Sequence, residues 1–577
     1  MNFLPFGNLP AFEPRRFVPA HADLGDWAAL APLFDDLEKR AGQCRTVAEL
    51  ETWLLQWSEL TAALDEEGAR RYIAMTCHTD EPAAKQAYLD FIEKIEPQLK
   101  PRQFRLSELL LKHPQRASLA PERYGVFDRD NAVTVELFRE ANVPIETREA
   151  MLSQKYQELT GGMTVQFRGA EKTLQQMAPF YEEPDRAVRQ EAWELVVNRR
   201  LQDSEQLDTI FESLLGCRDE IASNAGFTNY RDFAWRKMRR FDYSPAQCVQ
   251  FHEAIEQEIM PLAMELQERR RSLLKVPTLR PWDLEVDPLN RPPLRPFNDV
   301  EGMLQGTQRI FEAIDGDFSR EFNRMRDMRL LDLDSRKGKA PGGYQSTLNE
   351  ARVPFIFMHA VGVQRDVDTM LHEFGHAYHA LASRHDPLVS YRSAPIEFCE
   401  VASMSMELLG ADFIGEFYPP ADAARARRKT LEAIIGFFPW MATVDGFQHW
   451  LYTHPGHTRD ERKEAWLAIA RRFGGIVDWS GFDQARANLW HRQLHIYQYP
   501  FYYVEYGIAQ LGALQVWANW RRDRPSALQA YKSGLALGGA RPLPELFTAA
   551  GCRFDFSAGS LRPLMQLVRK EWELLRD

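Results

Sequence analysis

The sequence predicts a mainly α-helical protein with a small β component, and three observations carry that prediction. Apolar residues recur at three- and four-residue spacing over most of the chain, capping signals open the helices, and runs suited to strands are rare. The 577 residues suffice for more than one core or for one large two-lobed body. With 45% hydrophobic and 12% aromatic residues, 14 of them Trp, disorder is excluded.

Taken in order, the segment Met1 to Gly7 has neither a cationic nor an apolar region of the kind that makes a secretory signal. Thr46-Val47-Ala48-Glu49 has the form of a capping box, and Val47, Leu50, Leu54, Trp57, Leu60 and Leu64 follow at helical spacing. Tyr88, Phe91, Ile92, Ile95 and Leu99 repeat the pattern, with a helix end expected near Pro101. Residues 104–112 and 145–160 read alike, so residues 1–155 form an N-terminal helical lobe. A β-prone stretch from Met163 to Phe167 opens the remainder, 156–577. Six prolines between Pro277 and Pro296 exclude continuous helix there and predict an extended loop. Lys339 to Tyr344 then leads into the strand signal Val353 to His359, where Pro354 suits an edge strand. Such an edge could hold an extended peptide by strand addition, with Gly342, Gly343 and Tyr344 at its approach as expected substrate-binding residues.

Charge and cysteine usage narrow the partners. A formal net charge of −11 and the lack of a basic arm argue against nucleic acid. The longest apolar run, about Val353 to Val363, is too short to span a membrane. Cys44, Cys77, Cys217, Cys248, Cys399 and Cys552 are scattered without a C-x-x-C pair, which fits buried thiols in a reducing cytoplasm.

The chemistry concentrates in His372-Glu373-Phe374-Gly375-His376. Residues four apart lie on one helix face, so His372 and His376 can direct their imidazoles at one ion, while Glu373 can reach a water beside it and act as a base. A catalytic zinc site takes three protein ligands and leaves one position for water. Glu400, 24 residues beyond His376 on a segment of helical character, is the expected third ligand, with Glu397 one turn earlier as the competing acid. Glu407, two turns past Glu400 on the same face, can accept the free ring N–H of a ligand histidine. His379 is read as a neighbouring polar residue, and His359 and His385 as structural. His449, His454 and His457 are read as a solvent-exposed turn around Pro455-Gly456, and His252-Glu253 as an ordinary helix face. Far downstream, His495 to Gly507 is the densest polar-aromatic stretch. If helical, Tyr499, Tyr503 and Tyr506 share a face, and their hydroxyls are suitable donors to a developing oxyanion.

The motif at 372–376, together with Phe398-Cys399-Glu400-Val401-Ala402-Ser403 and the His/Tyr stretch, resembles the thimet oligopeptidase and oligoendopeptidase F family of zinc metallopeptidases, closer to the second branch. The likeness is traceable from about Thr164 to Val516. It implies a two-lobed helical metallopeptidase of the gluzincin type with a deep substrate channel and a small sheet near the zinc helix. It also implies a zinc-binding core at about 338–410 and a substrate segment at about 491–507. One Zn2+ per chain would be held by His372, His376 and Glu400, with Glu407 as outer partner and Glu373 as general base toward a zinc-bound water. His495, Tyr499 and Tyr506 map onto catalytic positions and Tyr503 onto a substrate-binding one; the spacing from His495 to the tyrosines is one residue shorter than in the thimet branch. The implied activity is cleavage of internal bonds in short unstructured oligopeptides, by a monomer or homodimer. The other expectations are a carboxypeptidase-like relative, or a non-catalytic peptide-binding protein with a structural metal, against which an intact Glu373 speaks.

Overall fold

The structure, a computed structural model, describes residues 3–575, so Met1 and Asn2 of the N-terminal segment read above lie outside it. It is mainly helical, as expected, with a two-stranded and a three-stranded sheet among the described residues. The predicted capping box opens a long helix, Val47–Cys77: the Thr46 hydroxyl accepts from the Glu49 amide, and the Glu49 carboxylate accepts from the Thr46 amide at 3.0 Å. Leu50, Trp53, Leu54 and Leu60 on its inner face belong to an N-terminal core, while Ile73 and Cys77 at its far end join the larger core.

One expected boundary falls elsewhere. The helix predicted to stop near Pro101 runs on as Glu96–Leu111, after a π-helical turn at Phe91–Ile95. Proline there costs one backbone hydrogen bond, which burial of Leu99, Leu106 and Leu110 offsets.

The β-prone stretch forms a hairpin of β1 (Thr164–Phe167) and β2 (Ala170–Thr173), turning at Arg168-Gly169 with positive φ at both. The proline-rich loop is irregular apart from a short turn at Pro281–Asp283. The second sheet corrects the reading of the strand before the motif. Its order is β3 (Leu331–Asp334), β5 (Val353–Ala360), β4 (Tyr344–Leu348), so β5 is central and β4 is an edge. Pro354 is tolerated because the Ile356 amide donates toward Leu330 on the β3 side, and Pro354, two residues earlier, turns its donorless nitrogen to that same side before β3 begins.

The β5 strand passes directly into the motif helix, Gln364–Ser383. Asp366 Oδ2 collects the amides of Val361, Gly362 and Val363 at 2.7–3.0 Å, which satisfies the turn and favours the helix N-terminus. Phe374 is buried against Phe311 at 4.0 Å between ring centroids. The opposite face meets the acidic helix, Ile396–Ala411, at a crossing that Gly375 permits: a Cβ there would lie 2.5 Å from Ser403 Cα and 2.7 Å from the Ala402 carbonyl oxygen. Helix propensity favours Gly375→Ala by about 1 kcal/mol, but backbone cannot yield as a side chain does. The substitution is therefore expected to destabilise the protein by about 1–3 kcal/mol net, read as a lower melting temperature. An unchanged or higher melting temperature would contradict this close crossing.

Candidate active site

His372 and His376 sit one turn apart on the motif helix, and the crossing at Gly375 brings Glu400 of the acidic helix opposite them. The two Nε2 atoms are 3.2 Å apart, and Glu400 Oε2 is 3.4 Å from His372 Nε2 and 3.7 Å from His376 Nε2. Three donors around one tetrahedral zinc at 2.0–2.1 Å would be separated by about 3.3 Å. The donor set therefore fits a zinc ion closely. His372 Nδ1 is 2.6 Å from Glu407 Oε1, an arrangement in which Nδ1–H donates and the Nε2 lone pair faces the centre. Ser403 Oγ donates to Glu400 Oε2 at 2.9 Å and fixes the carboxylate. Glu397, the competing acid, is committed elsewhere, accepting from the Tyr243 hydroxyl at 2.7 Å.

The electrostatics are those of a space that takes one positive charge. Burial works against a charge on His372, but Glu407, Glu400 and Glu373 outweigh it and push its pKa up to about 9. Burial, then the neighbouring His372 and His379, drive His376 well below the ordinary histidine range. Burial also raises Glu400, partly offset by His372 and Ser403. Glu373 is only 8% exposed, and burial lifts its carboxyl to about 7 against the pull of His372. His379 lies buried against Phe398, its pKa lowered to about 4 by desolvation. His359 is hydrogen-bonded to the Ala340 carbonyl and His385 packs on Phe12, in keeping with structural roles.

A cleft of about 520 Å3 runs past His376 and His379 along the β4 residues Gln345, Ser346 and Thr347. The edge that faces a potential peptide is thus β4, not β5. Gly342, with φ +107°, and Gly343 are exposed at its approach. Tyr344 lies stacked on Phe357, its hydroxyl 2.6 Å from Thr76 Oγ1, and Tyr72 of the helix Val47–Cys77 packs against it.

The tyrosine stretch differs from the expected single helical face. A short helix, Leu494–Gln498, ends before Tyr499, and a new one, Tyr503–Arg522, begins after Phe501, whose φ is +67°. Tyr499 is left 54% exposed outside both helices. The break has a physical cause: Pro500 cannot continue the first helix, and the turn is clamped by Arg240, which donates to the Phe501 carbonyl and to Glu505, both at 2.6 Å. The Phe501 amide in turn donates to Gln448 Oε1 at 2.7 Å. Tyr502, which sequence reasoning passed over, packs on Tyr506 with ring centroids 5.3 Å apart, and burial first, then neighbouring negative charge that includes Glu400, raises both phenols. Tyr503 turns instead toward Phe437 and Trp440. His495 sits amid the tyrosine rings, 4.9 Å from Tyr503 and 5.9 Å from Tyr506 between centroids, its pKa lowered to about 4 by burial. Only the turn geometry could have singled out Tyr502, and a proline inside an aromatic run was its one signal.

The model of Peptidase family M3 matches residues 180–565, and that of the Peptidase M3 N-terminal domain matches residues 18–138. Among solved structures, PZ peptidase A with inhibitor 2 is 28% identical with a TM-score of 0.88, covering 97% of this chain and 99% of that one. The chromosomal oligoendopeptidase F of Lactococcus lactis subsp. cremoris is 26% identical over 155 residues, 27% of this chain and 25% of the relative. Oligopeptidase PepF of Bacillus subtilis (strain 168) is 23% identical over 228 residues, 39% and 33% of the two chains. The chain thus spans between a quarter and a third of the length of these curated relatives.

Proposed function

The chain belongs to peptidase family M3, and on that premise we propose that it is a zinc-dependent endopeptidase acting on short unstructured peptides in a reducing, cytoplasmic setting. The observation that carries this reading is the donor triangle of His372, His376 and Glu400, with edges of 3.2–3.7 Å. When bound there, zinc supplies Lewis acidity that polarises a peptide carbonyl and acidifies water. Glu407 keeps His372 in the tautomer that presents Nε2, and Glu407→Gln is expected to weaken zinc binding by about 10–100-fold, measured by competition with a chelator. Retention of wild-type affinity in that variant would exclude this role.

The chain's own residues carry the other parts of the reaction. The edge of β4 pairs with an extended peptide through main-chain hydrogen bonds, and the cleft beside it, about 520 Å3, suits a short unfolded segment. Glu373 takes a proton from the attacking water and passes it to the leaving amine. Tyr506 and Tyr502 remain protonated near neutrality and donate to the carbonyl oxygen as it gains charge. Loss of one such donor costs about 10^2–10^3 in kcat. Tyr506→Phe is expected to show that loss with zinc content retained, whereas Tyr499→Phe, at an exposed position, is expected to fall far short of it. Equal effects of the two substitutions would move the donor role to another group.

The direct test of the activity is cleavage of an internally quenched peptide by the purified protein. Cleavage within the peptide, abolished by a chelator and restored by zinc, is the expected result. Absence of cleavage from a zinc-loaded protein across a panel of peptides would overturn the reading.

A further inference from the structure

Behind the tyrosine helix, two helices face each other with a donor set that the site above does not use. Cys248 and His252 stand four residues apart on the helix Pro245–Glu258, and Asp445 and His449 stand four apart on the helix Pro420–Thr453. Each pair shares a helix face. The four side chains are buried, with Asp445 and Cys248 at 0% exposure. This corrects two expectations: His449 is no part of a solvent-exposed turn with His454 and His457, and His252 is no ordinary helix face. A sulfur from Cys248, a carboxylate oxygen from Asp445 and a ring nitrogen from His449 lie within 4.8 Å of one another. His252 Nε2 and His449 Nε2 are 2.8 and 3.3 Å from Asp445 Oδ2.

Protein hydrogen bonds do not satisfy this set. Asp445 Oδ1 and both ring nitrogens of His449 make no hydrogen bond among the described residues, the 3.3 Å approach of His449 Nε2 to Asp445 Oδ2 lacking hydrogen-bond geometry. Buried polar atoms are nearly always paired, so three orphans in one cluster mark a missing partner. The donors around it are a thiol, a carboxylate and an imidazole, a combination that selects zinc over magnesium or calcium.

We propose that Cys248, Asp445 and His449 hold a second divalent metal ion, zinc, distinct from the one proposed for the motif helix, with His252 hydrogen-bonded to the Asp445 carboxylate beside it. Zinc at 2.0–2.3 Å from each donor sets donor separations of about 3.3–3.6 Å, so side-chain rotations of about 1 Å close the cluster. Loading breaks the Cys248 S–H bond and forms a sulfur–metal bond, the proton leaving to solvent. The thiolate and carboxylate then balance the dication at a site buried in the core. The site stands against the turn that carries Tyr502 and Tyr506: Gln448 accepts from the Phe501 amide, and the His449 ring packs on Phe501 at 5.4 Å between centroids.

Cobalt(II) substitution of the full-length protein tests this. The set His372, His376 and Glu400 contains no sulfur, so a thiolate-to-cobalt charge-transfer band in the near ultraviolet reports the second site alone. The expected result is two metal equivalents per chain by elemental analysis, together with that band. Cys248→Ser should remove the band and reduce the count to one, whereas His376→Ala should reduce the count to one and keep the band. A wild-type protein with no thiolate band overturns the proposal even if Cys248→Ser fails to fold, as does a band that survives Cys248→Ser. Loss of the band leaves the peptidase reading standing, since that reading depends on the other equivalent.

Discussion

Glu373→Gln is expected to lower kcat for an internally quenched peptide by about 10^3-fold or more while KM and bound zinc stay close to wild type. A positioned general base contributes about 10^2–10^4 in rate, and the amide keeps the shape of the carboxylate without its capacity to take a proton. The side chain is buried beside the His372 imidazole, yet its neighbour, not Glu373 itself, belongs to the donor triangle. Zinc content by elemental analysis separates the two roles. Unchanged turnover in a zinc-loaded Glu373→Gln protein would sink the proposed mechanism.

Glu400→Ala is expected to have the second largest effect, by a different route. It removes one corner of the triangle and leaves His372 and His376 to bind alone, so zinc affinity should fall by more than about 100-fold, beyond the cost of losing an outer partner such as Glu407. Dialysis against a weak chelator followed by elemental analysis reads the loss. Stoichiometric zinc after such dialysis would place the third ligand elsewhere, and Glu397 is a poor substitute because Tyr243 already holds it.

How much of this was legible beforehand depends on whether a feature is local. The capping box at Thr46, the motif helix and the pairing of His372 with His376 all follow from contiguous residues and helical geometry. Glu400 and Glu407 could be placed on one face by their spacing, but their approach to the histidines rests on Gly375 having no Cβ at the helix crossing. Pro354 suggested an edge for β5 because nothing in the sequence shows that β3 begins only beyond it. Tyr499, Tyr503 and Tyr506 share a face only if that stretch is one helix, whereas the first helix ends before Tyr499 and the chain turns at Phe501.

The sequence by itself therefore determined the helical class and the histidine pair on one helix face, since periodicity and short-range spacing are properties of the chain before it folds. Only the tertiary structure decided which strand edge is free, that Tyr502 packs on Tyr506, and that His252 meets Asp445 across 193 residues. Those contacts depend on how helices pack and where turns are clamped. Side chains far apart in sequence carry no spacing signal, so they declare themselves only when burial forces them together.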